Sequence, residues 1–253
     1  MTLFAKHLAR LKGQTAWITG GRRVGQTVAR MLAECGANIV VSYRSSAAQA
    51  LETVETARGL QVRALAVEAD VSSRQSVTAA VERVRPEFPV IDILIGMASV
   101  YKLTAVDEVS QADWDANIGA HILGTFWPAQ LIVPLMPRGG HIVTVADITS
   151  IGRPQRRSLP YVATKAAVAA MTRQMALEYG SRGIFVNGLA PGPIMPPEDF
   201  PAETWRHIRE RSPVKVAITD EEAVEQFALL VLYLCLTTMS SGHIYPLDQG
   251  QNL

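Results

Sequence analysis

Short apolar segments alternate with longer amphipathic segments along nearly the whole chain, and this alternation limits the folds open to it. The apolar segments have the length of β-strands and are almost continuously apolar, as strands covered on both faces are. Strands are predicted at residues 14–19, 37–43, 62–67, 91–95, 141–145, 183–186 and 243–245. Helices are predicted at residues 24–35, 47–58, 71–84, 111–135, 160–179, 202–211 and 220–236. Alternating strands and helices form βαβ units, so we expect an α/β fold with about seven parallel strands and helices on both faces.

Length and composition predict a single globular domain. The chain has 253 residues, of which 48% are hydrophobic and 19% charged, and it contains no repeat, linker or low-complexity segment. One α/β domain over residues 1–253 therefore fits best. Within it, residues 111–135 form one long helix or two abutting helices, bent near Pro128, because proline removes a helical hydrogen bond.

Charge, hydropathy and cysteine content narrow the partners and the compartment. The formal net charge is +1, so the chain as a whole has no excess of positive charge that would attract nucleic acid. The most apolar stretch, 223–236, is too short to span a bilayer, and residues 1–12 lack the apolar core of a signal peptide or anchor. Cys35 and Cys235 stand alone in apolar helical segments, which favours reduced core residues over a disulfide or a metal site. We expect a cytoplasmic protein with no membrane, nucleic-acid or metal partner.

A glycine-rich loop follows the first predicted strand and precedes the first amphipathic helix. Glycines at this place let backbone N–H groups approach a pyrophosphate, and the N-terminus of the helix favours negative charge. The alternative is an ordinary tight turn. The loop predicts a nucleotide site formed by Gly20, Arg22, Arg23 and Val24, within the segment Thr19-Gly20-Gly21-Arg22-Arg23-Val24-Gly25.

The end of the second strand indicates which dinucleotide would bind. About twenty residues past the glycines, NAD-binding folds often place an acid on the ribose 2′-hydroxyl. Here that position holds Tyr43, Arg44 and Ser45, and no acid. A guanidinium with neighbouring hydroxyls is suited to a 2′-phosphate, so we predict NADPH over NADH; the alternative is a solvated basic surface. After the third strand, Asp70 and Val71 are positioned to accept from an adenine amino group, to cap the next helix, or both.

Tyr161 and Lys165 lie four residues apart on a predicted helix, so their side chains share one face, one turn apart. A phenol has a reference pKa of about 10, and a nearby ammonium group lowers it. Such a pair is a proton donor for the reduction of a carbonyl group. The alternative is that the spacing arises by chance.

These motifs, in this order, resemble those of the short-chain dehydrogenase/reductase family over essentially the whole chain. Further matches are Asp70-Val71, Val186-Asn187, Pro191-Gly192-Pro193-Ile194 and Leu247-Asp248-Gln249-Gly250. The resemblance implies a single doubly wound Rossmann domain. It implies that Tyr161 donates the proton, and that Lys165 lowers the pKa of Tyr161 and binds the nicotinamide ribose. It also implies that Pro191, Gly192 and Ile194 begin a segment that closes over nicotinamide.

The glycine loop and the segment after the fourth strand depart from the family pattern in ways that resemble the pteridine reductases. The glycine loop is one residue shorter than usual, with Arg23 near the middle glycine. The usual Asn-Asn-Ala-Gly after the fourth strand is Gly96-Met97-Ala98-Ser99. Ala98 remains a predicted cofactor contact.

Two catalytic positions are also altered. The relay asparagine position holds His121, which either relays protons near neutral pH or is a packed histidine; Asn117, one turn earlier, is an alternative relay. The serine position holds Asp147, which cannot donate to a carbonyl oxygen unless it is protonated. Asp147 is suited to orienting a protonated heterocycle or to raising the proton affinity of the phenol. Thr149 or Ser150 is the alternative source of a hydroxyl.

Residues near 191–215 are predicted to form a substrate loop. In the family this segment and the one before the Tyr161 helix frame the substrate mouth, and together they contain Arg153, Arg156, Arg157, Arg206, Arg209 and Arg211. The arginines predict an anionic or carrier-linked small molecule; the alternative is an ordinary solvated surface. The helix that follows Tyr161 is rich in alanine, and in the family the equivalent helix forms a subunit interface. We therefore expect a homo-oligomer, either a tetramer or a dimer.

Two classes of function remain open from the sequence. The first is NADPH-dependent reduction of a carbonyl or C=N bond, with the proton from Tyr161. Within this class, 3-oxoacyl-carrier or general ketone reduction competes with pteridine-type reduction, which Arg23 and Asp147 favour. The second class is a non-catalytic nucleotide-binding sensor, suggested by the changes at Gly96, Met97 and His121.

Overall fold

The computed structural model of the protein describes residues 2–197 and 200–253 and shows a seven-stranded sheet in the order β3-β2-β1-β4-β5-β6-β7. Every neighbouring pair of strands is parallel. The strands are β1 (Thr15–Thr19), β2 (Asn38–Tyr43), β3 (Ala64–Glu68), β4 (Ile93–Gly96), β5 (His141–Val145), β6 (Phe185–Pro191) and β7 (Ile244–Leu247). The predicted parallel α/β sheet is confirmed, with strand ends displaced by a few residues.

Strand β6 shows the largest difference from the prediction, which ended at residue 186. It continues to Pro191 because its second half pairs with β7, from Gly188 opposite Ile244 to Pro191 opposite Leu247. Such pairing is a tertiary interaction between segments far apart in sequence, and the local apolar pattern does not contain it.

Helices cover both faces of the sheet. They are α1 (Leu3–Leu8), α2 (Val24–Glu34), α3 (Ala47–Gly59), α4 (Arg74–Val84), α5 (Gln111–Asn117), α6 (Gly124–Ile132), α7 (Ile148–Ile151), α8 (Leu159–Gly180), α9 (Ala202–Glu210) and α10 (Asp220–Leu234). One buried core packs α2, α3 and α10 against the sheet, and a second packs α4, α6 and α8 against its other face. Helices α1 and α7 are not predicted from the sequence, because each is too short to establish a helical period.

The predicted helix at residues 111–135 is divided by a π-helical segment, Ile118–Leu123, which separates α5 from α6. The irregular segment ends five residues before Pro128, which lies inside the regular helix α6, so the interruption is not at the proline where a bend was expected. Two glycines let this region approach the loop after β3. A Cβ atom at Gly119 would lie 3.0 Å from Ser72, and one at Gly124 would lie 2.8 Å from Val71. π-helical turns are often found at functional sites.

In the described part of the chain, residues 111–135 form one helical run that is long and apolar enough to cross a membrane, with a mean hydropathy of 1.3. This run is longer than the apolar stretch at residues 223–236, most of which lies in the 15-residue α10. The sheet and its neighbours already contact this run, because Ala129 and Ile132 are fully buried and α6 packs on β4 and α4. In this fold the run is a covering helix of the sheet.

The carboxyl ends of the central strands meet at one edge of the sheet, where ligands of open parallel sheets bind. Thr19 at the end of β1 lies opposite Gly96 at the end of β4. Gly20 then turns with a φ of 75°, and a Cβ atom there would lie 2.8 Å from the backbone of Ala98. Only glycine permits both this turn and this contact, so Gly20 fixes the glycine loop against the segment after β4.

Candidate active site

A cavity of about 780 Å³ lies along this edge of the sheet. Its wall contains all the residues predicted to contact a cofactor, which are Gly20, Arg22, Arg23, Val24, Tyr43, Arg44, Ser45, Asp70, Val71, Ala98, Pro191, Gly192 and Ile194. Tyr161 and Asp147 also line it. Sequence segments as far apart as Gly20 and Ile194 therefore meet at one site, because the ends of the parallel strands meet there.

The end of the cavity nearest β2 and β3 is polar and open to solvent. Arg44 and Ser45 are exposed where β2 ends. Asp70 accepts hydrogen bonds from Ser72, whose N and Oγ atoms lie 2.9 Å and 2.6 Å from Asp70 Oδ1. The hydrogen bond from the Ser72 hydroxyl, with a smaller effect of the Arg44 charge, lowers the pKa of Asp70. The carboxylate thus stays ionised; Ser73, rather than Asp70, caps α4.

Arg23 spans the cavity from the glycine loop to the segment after β6. It precedes the first residue of α2 with a φ of 54°, and its Nε atom lies 3.2 Å from Met195 Sδ. Its Nη2 atom donates to the carbonyl oxygen of Pro196. On the other side of the same segment, Arg209 donates to the carbonyl oxygen of Pro193 at 3.2 Å. The segment after β6 is therefore held from both sides by arginines.

Tyr161 and Lys165 occupy the first turns of α8, and both side chains are buried. Tyr161 Oη donates a hydrogen bond to Asp147 Oδ2 at 2.8 Å. Lys165 Nζ donates to the carbonyl oxygen of Val145 at 2.7 Å and lies 5.9 Å from the centre of the Tyr161 ring. Of the predicted pair, Tyr161 lines the cavity with Asp147 as the immediate partner of its hydroxyl, whereas Lys165 lies buried behind the ring.

The electrostatics of this pair differ from the prediction. Burial, followed by the charge of Asp147 and its hydrogen bond, raises the pKa of Tyr161 well above its usual value. Burial lowers the pKa of Lys165 to about 8, although Asp147 opposes that shift. The expected lowering of the Tyr161 pKa is therefore not met in this structure, because burial and the contacting carboxylate of Asp147 dominate, while the ammonium group of Lys165 is bonded to Val145. Tyr161 holds its proton at neutral pH.

Asp147 is held by the turn that it begins. As the N-cap of α7, its Oδ1 atom accepts from the N and Oγ1 atoms of Thr149 at 2.8 Å and 2.6 Å. Ser150 Oγ donates to the carbonyl oxygen of Asp147 at 2.6 Å. Both hydroxyls named as alternatives to Asp147 are thus directed at Asp147 itself. The second carboxylate oxygen remains beside Tyr161.

His121 lies in the π-helical segment and is 1% exposed. Its Nε2 atom is 2.9 Å from Ser99 Oγ, and its Nδ1 atom is 2.8 Å from Thr164 Oγ1. Burial, with a smaller effect of the Lys165 charge, lowers the pKa of His121 to about 3. The expectation of a histidine that exchanges protons near neutral pH is not met, since this imidazole stays neutral there.

Asn117, the alternative relay, does not contact the tyrosine. Its Nδ2 atom donates to the carbonyl oxygen of Asp113, one turn back in α5, at 2.8 Å. Its Oδ1 atom is buried and finds no hydrogen-bond partner among the described residues. Asn117 therefore remains a packed residue of α5.

A family comparison agrees with this geometry. The model of the family described as Enoyl-(Acyl carrier protein) reductase matches residues 20–252. The chain belongs to the short-chain dehydrogenase/reductase family. It is thus an oxidoreductase with the doubly wound Rossmann fold of that family, and the resemblance stated from its motifs is confirmed.

Proteins similar to this chain differ in the activities that their names describe. The 3-oxoacyl-(acyl-carrier-protein) reductase FabG of Staphylococcus epidermidis is 33% identical over 186 residues, or 72% of this chain and 75% of that protein. The gluconate 5-dehydrogenase of Gluconobacter oxydans is 34% identical over 192 residues, or 73% of each chain. A short-chain dehydrogenase of Burkholderia cenocepacia, solved in complex with NADP, has a TM-score of 0.88 at 29% identity over 96% of this chain and 100% of that chain.

The wall of the cavity near Tyr161 includes aromatic residues that we did not single out from the sequence. The Tyr101 ring meets the Tyr161 ring edge-on, with centroids 4.9 Å apart, and Tyr101 Oη donates to Gln155 at 3.3 Å. Phe200 and Trp205 line the cavity from the segment before α9 and from α9 itself. The available signal was an aromatic residue, Tyr101, two positions after the altered Gly96–Ser99 segment.

The arginines expected at the substrate mouth do not line the cavity. Among the described residues, its arginines are Arg22, Arg23 and Arg44; they belong to the nucleotide end, and Arg23 reaches from there to the segment after β6. On α9, Arg206 faces solvent beside acidic side chains. Arg209 pairs with Asp220 at 3.1 Å. The α9 charges are therefore used in local pairs, while the cavity wall takes the apolar side of the helix.

Proposed function

We propose that this oxidoreductase uses NADPH to reduce a C=O or C=N bond of a small molecule, with Tyr161 as the proton donor. The observation that supports this most is that the Tyr161 hydroxyl, hydrogen-bonded to Asp147, shares one cavity with Arg44 and Ser45. A buried acid at one end and an exposed guanidinium at the other match the two ends of a dinucleotide-dependent reduction.

The groups along the cavity fit NADPH. The N-terminus of α2, an 11-residue helix, faces the cavity beside Arg22 and Arg23, and such a terminus favours a pyrophosphate. Arg44 and Ser45 would hold the 2′-phosphate, and the ionised Asp70 would accept from the adenine amino group. Bound NADPH supplies the hydride.

In this proposal Tyr161 Oη holds the proton that the reduced bond receives. Asp147 Oδ2 fixes the direction of the hydroxyl before transfer. As the proton leaves, the positive charge of Lys165, 5.9 Å from the ring centre, stabilises the phenolate. The surrounding burial excludes water, which strengthens that attraction.

The acceptor character of Asp147 favours a substrate with an N–H donor beside the reduced bond, as in a C=N heterocycle. An ionised carboxylate accepts hydrogen bonds and repels a carbonyl oxygen. Tyr101, Phe200 and Trp205 supply an aromatic wall suited to a flat ring. Since the cavity arginines lie at the nucleotide end, we propose that the reacting part of the substrate is not anionic.

Ketone reduction is the second candidate, and the similar proteins favour it. The names 3-oxoacyl-(acyl-carrier-protein) reductase and gluconate 5-dehydrogenase both describe chemistry at a carbonyl or hydroxyl carbon. For a ketone, Asp147 has to turn away from, or share a proton with, the reacting oxygen.

We also propose a homo-oligomer that works in the cytoplasm. Ala163, Ala170 and Leu177 are exposed along one side of α8, and Leu177 is 75% exposed. Small side chains permit close packing of helices. Light scattering on the wild type and on Ala170→Glu tests this: the wild type is expected to have a multiple of the chain mass, and the variant a smaller one.

The function is tested by titrating NADPH and then measuring turnover. Trp205 lines the cavity, so binding is expected to change tryptophan fluorescence, and Trp205→Phe should remove most of that change while Trp114→Phe keeps it. Turnover is then measured on a panel of ketones, quinones, pterins and cyclic imines. Binding with turnover supports the proposal; binding without any turnover indicates a non-catalytic sensor. Absence of binding to either nicotinamide overturns both.

A further inference from the structure

We propose that His121 is a positioning residue, fixed as a neutral imidazole with its proton on Nδ1, that fastens the loop after β4 to the helix containing Tyr161. It is then not a proton relay. The expected effects on kcat rest on the proposed reductive function, whereas the tautomer of His121 and its hydrogen-bond partners do not depend on that function.

The partners of the ring fix where its proton lies. The backbone N–H of Val100 points at His121 Nε2, at 3.3 Å, and a backbone N–H only donates. Nε2 is therefore an acceptor, and it accepts a hydrogen bond from the Ser99 hydroxyl as well, at 2.9 Å. The ring proton must then be on Nδ1, which donates to Thr164 Oγ1 at 2.8 Å.

The chain of hydrogen bonds ends on the backbone of α8. Thr164 Oγ1 accepts from His121 and donates its own proton to the carbonyl oxygen of Pro160 at 2.7 Å. The Ser99 hydroxyl, the ring N–H of His121 and the Thr164 hydroxyl thus each donate a hydrogen bond in the same direction along the series. A relay through these groups would also need a final acceptor that can take a proton, and the series ends instead on the backbone carbonyl oxygen of Pro160, which cannot.

The charged groups around His121 also disfavour a second proton on the ring. From α8, Lys165 places a positive charge nearby, and the Tyr161 ring lies edge-on with centroids 5.4 Å apart. Asp147 at the end of β5 is bonded to the Tyr161 hydroxyl rather than to the imidazole. On the helical run of His121 itself, Asp113 is paired with Lys102 at 2.7 Å. Among the residues that the structure describes, no carboxylate is hydrogen-bonded to the ring, so burial and Lys165 together keep it neutral.

The consequence is geometric. Thr164 stands in the same turns of α8 as Tyr161 and Lys165, and Ser99 and Val100 directly precede Tyr101. His121 therefore sets the distance between the aromatic wall at Tyr101 and the hydroxyl of Tyr161. The π-helical segment supplies the wider turn in which the imidazole lies between them.

The tautomer is tested by NMR on the full chain labelled with ¹⁵N-histidine. There are five histidines, and the loss of one ring signal in His121→Gln assigns His121. We expect the His121 ring to be neutral, with its proton on Nδ1, from about pH 8 down to about pH 5. In the control variant His7→Gln, the signal assigned to His121 should be unchanged. A proton on Nε2, or titration near the ordinary value of about 6.5, would overturn the proposal.

The positioning role is tested with variants that break one end of the series at a time. His121→Asn retains a donor toward Thr164, whereas His121→Gln retains an acceptor toward Ser99 and Val100. Thr164→Val removes the far partner at similar volume, and Thr164→Ser restores a hydroxyl. We expect kcat to fall about ten- to a hundredfold in His121→Asn, His121→Gln and Thr164→Val, with partial recovery in Thr164→Ser.

The shape of the pH profile separates positioning from relay. If His121 only positions, kcat falls in all these variants while the profile keeps the limbs of the wild type. A wild-type limb that disappears in both His121→Asn and His121→Gln, but persists in Thr164→Val, would show a relay and overturn the proposal. If no substrate is turned over, the proposed function fails, and the NMR result alone decides the proposal.

Discussion

The two ends of the cavity differ in how they are built. At the nucleotide end, Arg44 and Ser45 are exposed at the end of β2. At the reducing end, Tyr161, Lys165 and His121 are buried, and each is hydrogen-bonded to another part of the protein. Charge at the first end is available to a ligand, whereas the protonation of groups at the second end is fixed by their surroundings.

This difference indicates which changes each end tolerates. Exposed cations act through water and salt, so substitution there alters affinity in proportion to the charge removed. Buried groups share partners, so a substitution there disturbs several groups together. The two ends are therefore expected to respond with different kinetic constants, and the following tests are arranged from the largest expected effect to the smallest.

The strongest test of the division is Tyr161→Phe. Removing the hydroxyl deletes the proton donor, and we expect kcat to fall on the order of a hundred- to ten-thousandfold. The affinity for NADPH should stay within about twofold, because the nucleotide end is unchanged. Tyr179→Phe, on the same helix but within the core packing, is the control for loss of a phenol. Full turnover by Tyr161→Phe would refute the mechanism.

The second test asks whether burial alone fixes protonation. Burial lowers the pKa of His121 to about 3 and that of His141 to about 4. Both rings take up a proton more readily in the unfolded chain than in the folded one. Their contribution to the free energy of unfolding is therefore complete above the unfolded pKa of about 6.5 and is lost as the pH falls below it. At about pH 5 we expect the free energy of unfolding to be lower by roughly 2 kcal/mol per histidine.

Urea unfolding near pH 7.5 and near pH 5 measures this loss. His141 stacks on Phe185 at the amino end of β5, away from the cavity. His141→Phe should therefore remove about half of the pH dependence, and His7→Gln should leave it unchanged. Equal free energies of unfolding at the two pH values would show that burial does not control these rings.

The third test concerns the exposed end. Arg44→Asp replaces a favourable charge with a repulsive one, and we expect the NADPH to NADH affinity ratio to fall about ten- to a hundredfold, with kcat unchanged at saturation. Arg30→Asp makes the same change of charge on α2, where Arg30 lies 3.9 Å from Glu34, and controls for a general field. A ratio that does not change in Arg44→Asp would contradict the choice of NADPH.

The smallest effect links protonation to rate. Because burial lowers the pKa of Lys165 to about 8, its charge is present below that pH and is lost above it. We expect kcat at saturating NADPH to be level near neutrality and to fall up to about tenfold per pH unit above about 8. In Lys165→Arg the charge persists, so this limb should disappear. In Asp147→Asn the limb should move to lower pH, since the charge of Asp147 raises the pKa of Lys165.

The sequence alone was sufficient to predict the fold and the cofactor candidates on the cavity wall. Apolar runs and helical periods are local, and they define the strands within a few residues. The cofactor candidates also follow, because each lies at the carboxyl end of a strand or within a few residues after it, and parallel strands end at one edge. The strand β6 and the π-helical segment were not predicted correctly, since both depend on contacts with distant segments.

The chemistry at the reducing end was decided by the tertiary structure. The spacing of Tyr161 and Lys165 identified the pair, but the partner of each was set by residues outside the motif, Asp147 and Val145. The pKa of His121 follows from burial and from a neighbouring cation, neither of which is visible in the segment around it. Sequence determines which groups reach the cavity, whereas burial and long-range partners determine which protons those groups hold.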